Sequence, residues 1–244
     1  MTIPTPAGDL DEIRRALALM VEPGTTVELR IPETKGTGGI VAGYFTDLEK
    51  LARAALQWSG RAASAYLTLN PVLDDLLARA CNRIETYTKS GFCTKDKEIL
   101  RRRWWLVDLD PIRPKGISST DTEHEAALRR AWLCRDWLSE QGAPDPIFAD
   151  SGNGAHLLYR IDTPNDEASE LVIKSALQTL AQRFDDEAVQ VDTSTFNASR
   201  VSKLYGTAAA KGDSVPHLGR VHRIARILEV PDVLEVFDFG GSCE

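Results

Sequence analysis

Apolar residues along the chain recur with two periods, one typical of helices and one typical of strands. A recurrence every three to four residues predicts helices over residues 9–20, 47–59, 71–83, 120–142 and 165–184. Short apolar or alternating runs rich in β-branched and aromatic residues predict strands at 25–31, 39–45, 63–69, 105–109, 146–150, 155–161, 189–191 and 201–205. Because helices and strands interleave and hairpins join several strands, we predict an α+β fold with a mixed sheet flanked by helices.

The order of the elements also indicates how the chain is divided. Residues 1–100 are predicted to form an N-terminal α/β lobe, which packs on a core of residues 101–244 to give one compact unit. Residues 85–96 are rich in Thr, Lys, Ser and Gly, a composition that predicts an exposed, mobile loop.

Composition and charge exclude several classes of function. The 244 residues are 43% hydrophobic with a net charge of −7, which argues against a protein that coats nucleic acid or membrane, although a local basic groove remains open. No apolar run reaches membrane-spanning length and residues 1–20 lack signal-peptide features, so we expect a cytoplasmic protein without a membrane partner. The four cysteines lack ligand spacing, so we expect reduced thiols and no structural zinc: Cys81, Cys93, Cys134 and Cys243.

Two carboxylates stand at the end of a predicted buried strand, Trp105–Leu109, which Pro111 terminates. Asp108 and Asp110 share one face of that strand, with their Cα atoms roughly 7 Å apart. Such a pair is hard to keep ionised without a cation between its members, although an Asp-rich turn capping the strand is the alternative. Asp192 ends another short apolar strand. If the strand ends converge, three carboxylates could hold two divalent ions, and oxygen ligands favour Mg²⁺ or Mn²⁺.

A glycine-flanked turn precedes a second candidate group. Ser151-Gly152-Asn153-Gly154 has the composition of a tight hairpin turn, and such turns can present backbone N–H groups to phosphate oxygens. His156, two residues later, could donate to a triphosphate. The alternative is a structural histidine at the start of a strand.

Basic residues concentrate near the C-terminus of a chain that is acidic overall. Only Asp213 offsets the segment's cationic residues and histidine, which are Arg200, Lys203, Lys211, Arg220, His222, Arg223 and Arg226. Such a one-sided run favours an anionic ligand, with a solvated charged face as the alternative. A basic turn with Arg113 and Lys115 follows the Asp pair, and we take these two residues and Lys211 as candidate contacts to nucleic acid.

In order and spacing, these features resemble the archaeo-eukaryotic primase (AEP) superfamily, specifically the primase-polymerase domains of phages, plasmids and other mobile elements. The family's first motif, an acidic-x-acidic pair at a strand end, is matched by Asp108-Leu109-Asp110. Its second motif, a small residue shortly before a histidine, is matched by Ser151 and His156, and its third, a hydrophobic residue before an aspartate, by Val191-Asp192. The resemblance implies an AEP/RRM-like catalytic core over residues 101–244 and a DNA primase-polymerase activity.

The resemblance also implies a role for each motif. Asp108, Asp110 and Asp192 would hold two Mg²⁺ or Mn²⁺ ions for nucleotidyl transfer. His156 and the Ser151–Gly154 turn would grip the phosphates of an incoming NTP or dNTP.

Further implied contacts lie in the basic segment. Arg200 and Lys203 would neutralise the triphosphate or contact its sugar, and His222 and Arg223 are lesser candidates by proximity. The implied partners are a single-stranded DNA template and a helicase in cis or in trans.

Two alternatives stay open for the activity. The chain could be a polymerase that extends primers but does not initiate them, or a non-catalytic replication-initiator module that binds nucleic acid. The presence of all three carboxylates argues against the second alternative, since a pure binder has no use for clustered negative charge beside DNA.

Overall fold

The computed structural model describes residues 4–32, 39–88 and 90–239. Within them the chain forms four α-helices, α1 (Leu10–Met20), α2 (Leu48–Trp58), α3 (Asp121–Glu140) and α4 (Glu167–Phe184). The first five strands are β1 (Val27–Ile31), β2 (Ile40–Phe45), β3 (Tyr66–Thr68), β4 (Glu85–Thr88) and β5 (Arg102–Pro111). The later strands are β6 (Ile147–Asp150), β7 (Ala155–Thr163), β8 (Val189–Val191), β9 (Val201–Lys203), β10 (Ala208–Ala209), β11 (Arg223–Ile224) and β12 (Arg226–Glu229). No helix in the described ranges is long and apolar enough to cross a membrane.

Short polar side chains determine where the helices begin. Asp9 accepts from two N–H groups in the first turn of α1, and Asp166 accepts from one in α4. A capping box begins α3, because Thr120 accepts from the N–H of Glu123 while Glu123 accepts from the N–H of Thr120. Each such cap contributes about 1 kcal/mol by satisfying N–H groups that lack partners within the helix.

Most of the strands belong to two five-stranded sheets. The first sheet has the order β4-β2-β1-β3-β9 and the second has the order β12-β6-β7-β5-β8, while β10 and β11 form a small separate ribbon. Every pairing between these strands is antiparallel. The sheets are therefore antiparallel where the sequence predicted a mixed sheet.

The topology of the second sheet explains this difference. Its elements follow each other along the chain as β5-α3-β6-β7-α4-β8, but four of its strands lie in the order β6-β7-β5-β8. Each helical crossover therefore skips one position, and an antiparallel strand fills that position. This split β-α-β arrangement is that of an RRM-like core, so the predicted α+β class and core type are confirmed.

The alternation of side chains along β5 links the core to the candidate site. Trp104 and Leu106 face a core shared with the first sheet, α1 and α2, whereas Trp105 and Val107 face a second core beneath α3 and α4. Asp108 continues the face of Trp104 and Leu106 at the same two-residue spacing. Its side chain therefore emerges where the shared apolar core ends.

Two local predictions are wrong in detail. The helix predicted over 71–83 is only a short 3-10 helix, Asp74–Arg79. The segment 85–96 begins with β4 rather than with an exposed loop, and its Cys93 and Thr94 side chains are buried. Polar composition did not require exposure here because the first sheet supplies buried hydrogen-bond partners for Thr94.

The strand β9 crosses the predicted division of the chain. It belongs to the C-terminal half of the sequence, yet it pairs with β3 and completes one edge of the first sheet. A lobe boundary at residue 100 remains a prediction, with the addition that the later half contributes one strand to the N-terminal sheet.

Candidate active site

A cleft with a volume of about 460 Å³ brings together most of the residues singled out in the sequence. Its polar lining includes three carboxylates, a histidine and several cationic side chains from both sheets. The predicted residues among them are Asp108, Asp110, Arg113, Ser151, Asn153, His156, Asp192, Arg200, Lys203 and Lys211.

One side of the cleft is built from neighbouring strands of the second sheet, and we call Asp108, Asp110 and Asp192 its acidic wall. Asp108 lies directly opposite His156 in the pairing of β5 with β7. On the other side of β5, the N–H of Asp192 donates to the carbonyl of Asp108 at 2.8 Å. The fold therefore brings Asp192, which is remote in sequence, to the space that Asp108 and Asp110 share.

Burial and mutual repulsion give the two aspartates of β5 different acidities. Burial, and then the charge of Asp108, raise the pKa of Asp110 to about 6. Burial also acts to raise the pKa of Asp108, but His156, Arg200 and Lys203 outweigh it and hold that pKa below its ordinary value. Both carboxyls are therefore ionised side by side at neutral pH, a state that a divalent cation would stabilise.

The donor set fits a divalent cation between Asp108 and Asp110. Among the described residues, Asp108 Oδ1 is buried and makes no hydrogen bond, although His156 Nε2 lies 3.4 Å away, and a bound cation would give this oxygen a close partner. Asp192 Oδ1 is instead engaged by the N–H and the hydroxyl of Ser194, at 2.8 and 2.6 Å. In the described ranges, no three His, Cys, Asp or Glu side chains are gathered closely enough to hold an ion. Asp192 Oδ1 would therefore have to leave Ser194 to bind an ion, whereas its Oδ2 lies 3.9 Å from Arg200 Nη2 and makes no contact with Ser194 among the described hydrogen bonds.

His156 lies between the acidic wall and a buried tyrosine. Its Nε2 is 3.4 Å from Asp108 Oδ1, and its Nδ1 is 2.8 Å from the hydroxyl of Tyr205. Burial raises the pKa of Tyr205, so this hydroxyl remains protonated and fixes the ring. The His156 side chain is only 5% exposed, and its Nε2 edge is directed towards the carboxylates.

The turn before His156 uses its N–H groups internally. The N–H of Gly152 donates to Asp150 at 2.6 Å, and the N–H of Gly154 donates to the hydroxyl of Ser151 at 3.0 Å. Neither group is available to a phosphate in this arrangement, contrary to the expectation for these two glycines. The amide oxygen of Asn153 is likewise engaged, since it accepts from the N–H and hydroxyl of Ser119.

Gly154 serves instead to bring the turn close to β5. A Cβ atom at this position would lie 2.3 Å from the carbonyl oxygen of Leu109 and 3.3 Å from Asp110 Oδ1. Any side chain would therefore push the turn away from the acidic wall.

The opposite side of the cleft belongs to the first sheet, and we call Arg30, Tyr66 and Lys203 its basic wall. These residues form one row, since Tyr66 pairs with Arg30 on one side and with Lys203 on the other. The Lys203 ammonium lies 5.1 Å from the centre of the Tyr66 ring. Burial lowers the pKa of Lys203 to about 8, although Asp108 and Asp110 act to raise it.

Sequence reasoning missed Arg30 and Tyr66. The signal for Arg30 was the alternation Val27-Glu28-Leu29-Arg30-Ile31, in which the two charged residues share a face that cannot be part of the apolar core. Tyr66 carried no comparable signal, because its importance comes only from strands that pair with β3.

Besides Gly152 and Gly154 of the turn, three predicted residues lie outside the cleft lining. His222 contacts the hydroxyl of Thr5 at 2.8 Å and the carbonyl of Gly212 at 3.0 Å. Arg223 donates to Asp121 and to the carbonyl of Ser119, so its guanidinium holds the start of α3 rather than a ligand. Lys115 is exposed on the turn after β5.

No protein-family model matches the chain, and no curated protein matches its sequence. In structure, the chain is similar to the AEP domain of the primase-polymerase (PrimPol) of cyanophage S-2L, with a TM-score of 0.52. That match covers 96% of each chain at 18% sequence identity. The chain has the AEP fold. At this identity the likeness establishes the fold and leaves the chemistry to be argued from the cleft.

Proposed function

We propose that this AEP-fold chain is a DNA primase-polymerase that joins nucleotides on a single-stranded DNA template. The observation that carries the proposal is a single cleft in which a wall of three carboxylates faces a wall of cations. Carboxylates suit divalent cations and cations suit a triphosphate, and nucleotidyl transfer needs both in one place. A nuclease would need the carboxylates, but it would not need the cations of the opposite wall.

The proposed chemistry assigns one task to the acidic wall and another to cations that line the cleft. Asp108 and Asp110, joined by Asp192, would hold two Mg²⁺ or Mn²⁺ ions, which would supply positive charge at the attacking and leaving oxygens. Arg200 and Lys203 would bind the phosphates of the NTP or dNTP and stabilise the charge that develops on pyrophosphate. His156 would orient Asp108 and contact a phosphate through its Nε2 edge.

Nucleic acid would approach along a basic rim beside the cleft. Arg113 and Lys115 lie on the turn after β5, and Lys211 lies on a loop that is hydrogen-bonded to it. The N–H of Asp213 donates to the carbonyl of Gly116 at 2.7 Å, which joins the two loops. Cations at this rim would bind the template backbone, which carries one charge per nucleotide.

The proposed biological setting is the replication of a phage, plasmid or other mobile element, with a helicase as partner in cis or in trans. Support for this part is fold-level analogy, since the similar AEP domain belongs to a cyanophage primase-polymerase.

The deciding experiment incubates the protein with single-stranded DNA, labelled NTPs or dNTPs, and Mg²⁺ or Mn²⁺, with and without a primer. We expect incorporation in both cases. Products that form only with a primer would identify a polymerase that does not initiate. Template binding without any incorporation would identify a replication-initiator module and reject the enzyme.

A further inference from the structure

Arg30 of the basic wall is held from behind by a fully buried acid. Glu28 has no exposed surface, and its two carboxylate oxygens accept from Arg30 Nε at 2.7 Å and from Nη2 at 2.8 Å. Glu28 also accepts from the N–H of Thr94 at 2.8 Å. Burial opposes ionisation of Glu28, but Arg30 and Thr94 outweigh it and lower its pKa. The guanidinium is therefore fixed in one orientation at the cleft, with its side chain 19% exposed.

The segment that contains Thr94 is fastened to the same sheet. The hydroxyl of Thr94 donates to the hydroxyl of Tyr44 at 3.2 Å, and the Tyr44 hydroxyl donates to the carbonyl of Phe92 at 2.8 Å. Both Thr94 and Tyr44 are buried. Residues 92–94 thus form a rigid support beneath Arg30.

Two residues further on, Asp96 of the same segment contacts the residue that precedes a second cation of the cleft. Asp96 accepts from the N–H and the hydroxyl of Ser199, each at 2.7 Å. Ser199 directly precedes Arg200, whose side chain lines the cleft. The Nη2 of Arg200 donates to the carbonyl and the hydroxyl of Ser194, and its Nε is buried without a hydrogen-bond partner in the described ranges. Asp96 is tied in turn to the start of α4, because its carbonyl accepts from Asn165 at 2.7 Å.

We propose that residues 92–96 act as a brace that holds Arg30 and Arg200 at a fixed separation, and that these two guanidinium groups together bind the phosphate chain of the nucleotide. The inference rests on the proposed function for the identity of the ligand. Guanidinium groups pair bidentately with phosphate oxygens, and fixing them in advance removes an entropic cost of binding. The cleft volume of about 460 Å³ suits a nucleotide, whereas a template strand would occupy the exposed rim.

In this arrangement Glu28 and Asp96 are positioning residues, since each acts through another side chain or segment. Glu28 orients Arg30, and Asp96 orients the backbone that carries Arg200. If this network had only a structural role, substitutions in it would change the stability of the protein without changing its affinity for phosphate chains.

The test measures binding of inorganic tripolyphosphate to the full chain by calorimetry, without metal or DNA. We expect Asp96→Ala to raise the Kd about tenfold, the loss expected for one weakened charge-assisted contact. Asp96→Asn should retain most of the affinity, because its amide oxygen can still accept from Ser199. Asp75→Ala removes an equally negative, exposed side chain of the same lobe without a described contact, and it should leave the Kd unchanged.

Glu28→Gln tests the other arm of the brace. It should raise the Kd by a similar factor, because the amide cannot pair with both Arg30 and the N–H of Thr94. Should this buried substitution prevent folding, Arg30→Lys keeps the charge but loses the forked geometry, and it should also weaken binding.

An unchanged Kd in Asp96→Ala would overturn the brace, as would a lower unfolding temperature with normal tripolyphosphate binding. Weaker binding of a single-stranded oligonucleotide, with tripolyphosphate binding intact, would assign the two arginines to the template and reject the inference. Failure of the proposed function would give a different result. The brace variants would still bind tripolyphosphate more weakly than the wild type does, but the wild type would incorporate no nucleotide.

Discussion

The two walls of the cleft are built in opposite ways. The acidic wall stands at the ends of strands in the second sheet, and two of its three carboxylates are adjacent positions on one face of β5. The basic wall takes one residue from each of β1, β3 and β9. These residues are separated by up to 173 positions in the sequence and meet only through strand pairing. When a wall is built from one strand, its residues lie close together in the sequence and form a recognisable motif. When a wall is built across several strands, its residues are scattered singly along the sequence.

Burial also shifts the pKa in opposite directions in the two walls. In the acidic wall, burial and like charge raise the pKa of Asp110 to about 6. In the basic wall, burial lowers the pKa of Lys203 to about 8. In each wall, therefore, burial disfavours the charged form of a side chain. A ligand that carries both a cation and an anion would stabilise the charges of both walls together.

Removing the acidic wall should have the largest effect. Asp108→Ala combined with Asp110→Ala should reduce nucleotide incorporation below detection, since no carboxylate of β5 remains to hold a cation. Primer extension with Mn²⁺ measures this, and circular dichroism should show an unchanged fold. Asp75→Ala is the exposed control. An active double mutant would reject the metal-site assignment.

Breaking the basic wall at Lys203 should weaken phosphate binding and expose a pH dependence. Lys203→Met should raise the Kd for tripolyphosphate about tenfold. In the wild type the affinity should fall as pH rises through about 8, where Lys203 loses its proton. Lys203→Arg should move that fall to higher pH, and an unmoved profile would show that another group titrates.

The pH dependence of stability distinguishes weaker tripolyphosphate binding from unfolding. Because the folded-state pKa of Lys203 is lowered, the folded protein binds fewer protons than the unfolded chain between about pH 8 and 10.5. This group therefore makes the fold more stable as pH rises through that window. Weaker binding at high pH cannot then be attributed to loss of structure at Lys203.

Separating the turn from the acidic wall should cost both stability and activity. Gly154→Ala would place a Cβ 2.3 Å from the carbonyl of Leu109, an overlap with backbone that should destabilise the fold by about 1–3 kcal/mol. Chemical denaturation measures this loss. Gly91→Ala is the matched control, because a Cβ there meets nothing within 4 Å. Equal stabilities of the two variants would contradict the close approach.

Relieving repulsion within the acidic wall should give a small gain in stability. The folded-state pKa of Asp110 is raised, so its ionisation opposes folding increasingly as pH rises from about 4 to 6. Asp110→Asn should therefore stabilise the protein at pH 7 by about 1 kcal/mol, a value reduced for the side chain's 41% exposure. The gain should be smaller at pH 4.5. Equal gains at both pH values would remove repulsion as the cause.

The smallest effect should come from a cation outside both walls. Lys115→Ala should weaken single-stranded DNA binding modestly and reduce its salt slope by about 1, since one phosphate contact is lost. Nucleotide KM should not change. A change in KM with unaltered DNA binding would move Lys115 from the rim to the nucleotide.

Much of the site was predictable because strand periodicity is local. The two-residue spacing of Asp108 and Asp110 fixed their shared face, and the apolar run before Asp192 marked another strand end. The turn at residues 151–154 was recognised, but the use of its N–H groups was not, because Asp150 and Ser151 compete for them only in the folded geometry.

Other features depended on contacts that no local pattern records. The segment 85–96 was polar enough to predict an exposed loop, yet buried partners beneath the first sheet hold Thr94 in place. His222 and Arg223 follow a basic block along the chain, but their contacts to Thr5 and Asp121 take them out of the cleft. Proximity in sequence was a poor guide there, because partners outside the cleft engage both side chains.

By itself the sequence determined the α+β class, the helices and strands, and a strand end on which two carboxylates must share a face, since these depend on periodicities of two and 3.6 residues. Only the tertiary structure decided that the sheets are antiparallel and that Arg30 and Tyr66 stand opposite the carboxylates. It also showed that Asp192 is turned towards Ser194. Such outcomes depend on which distant strands pair and which polar groups compete for the same partner, and these choices are made across the whole fold.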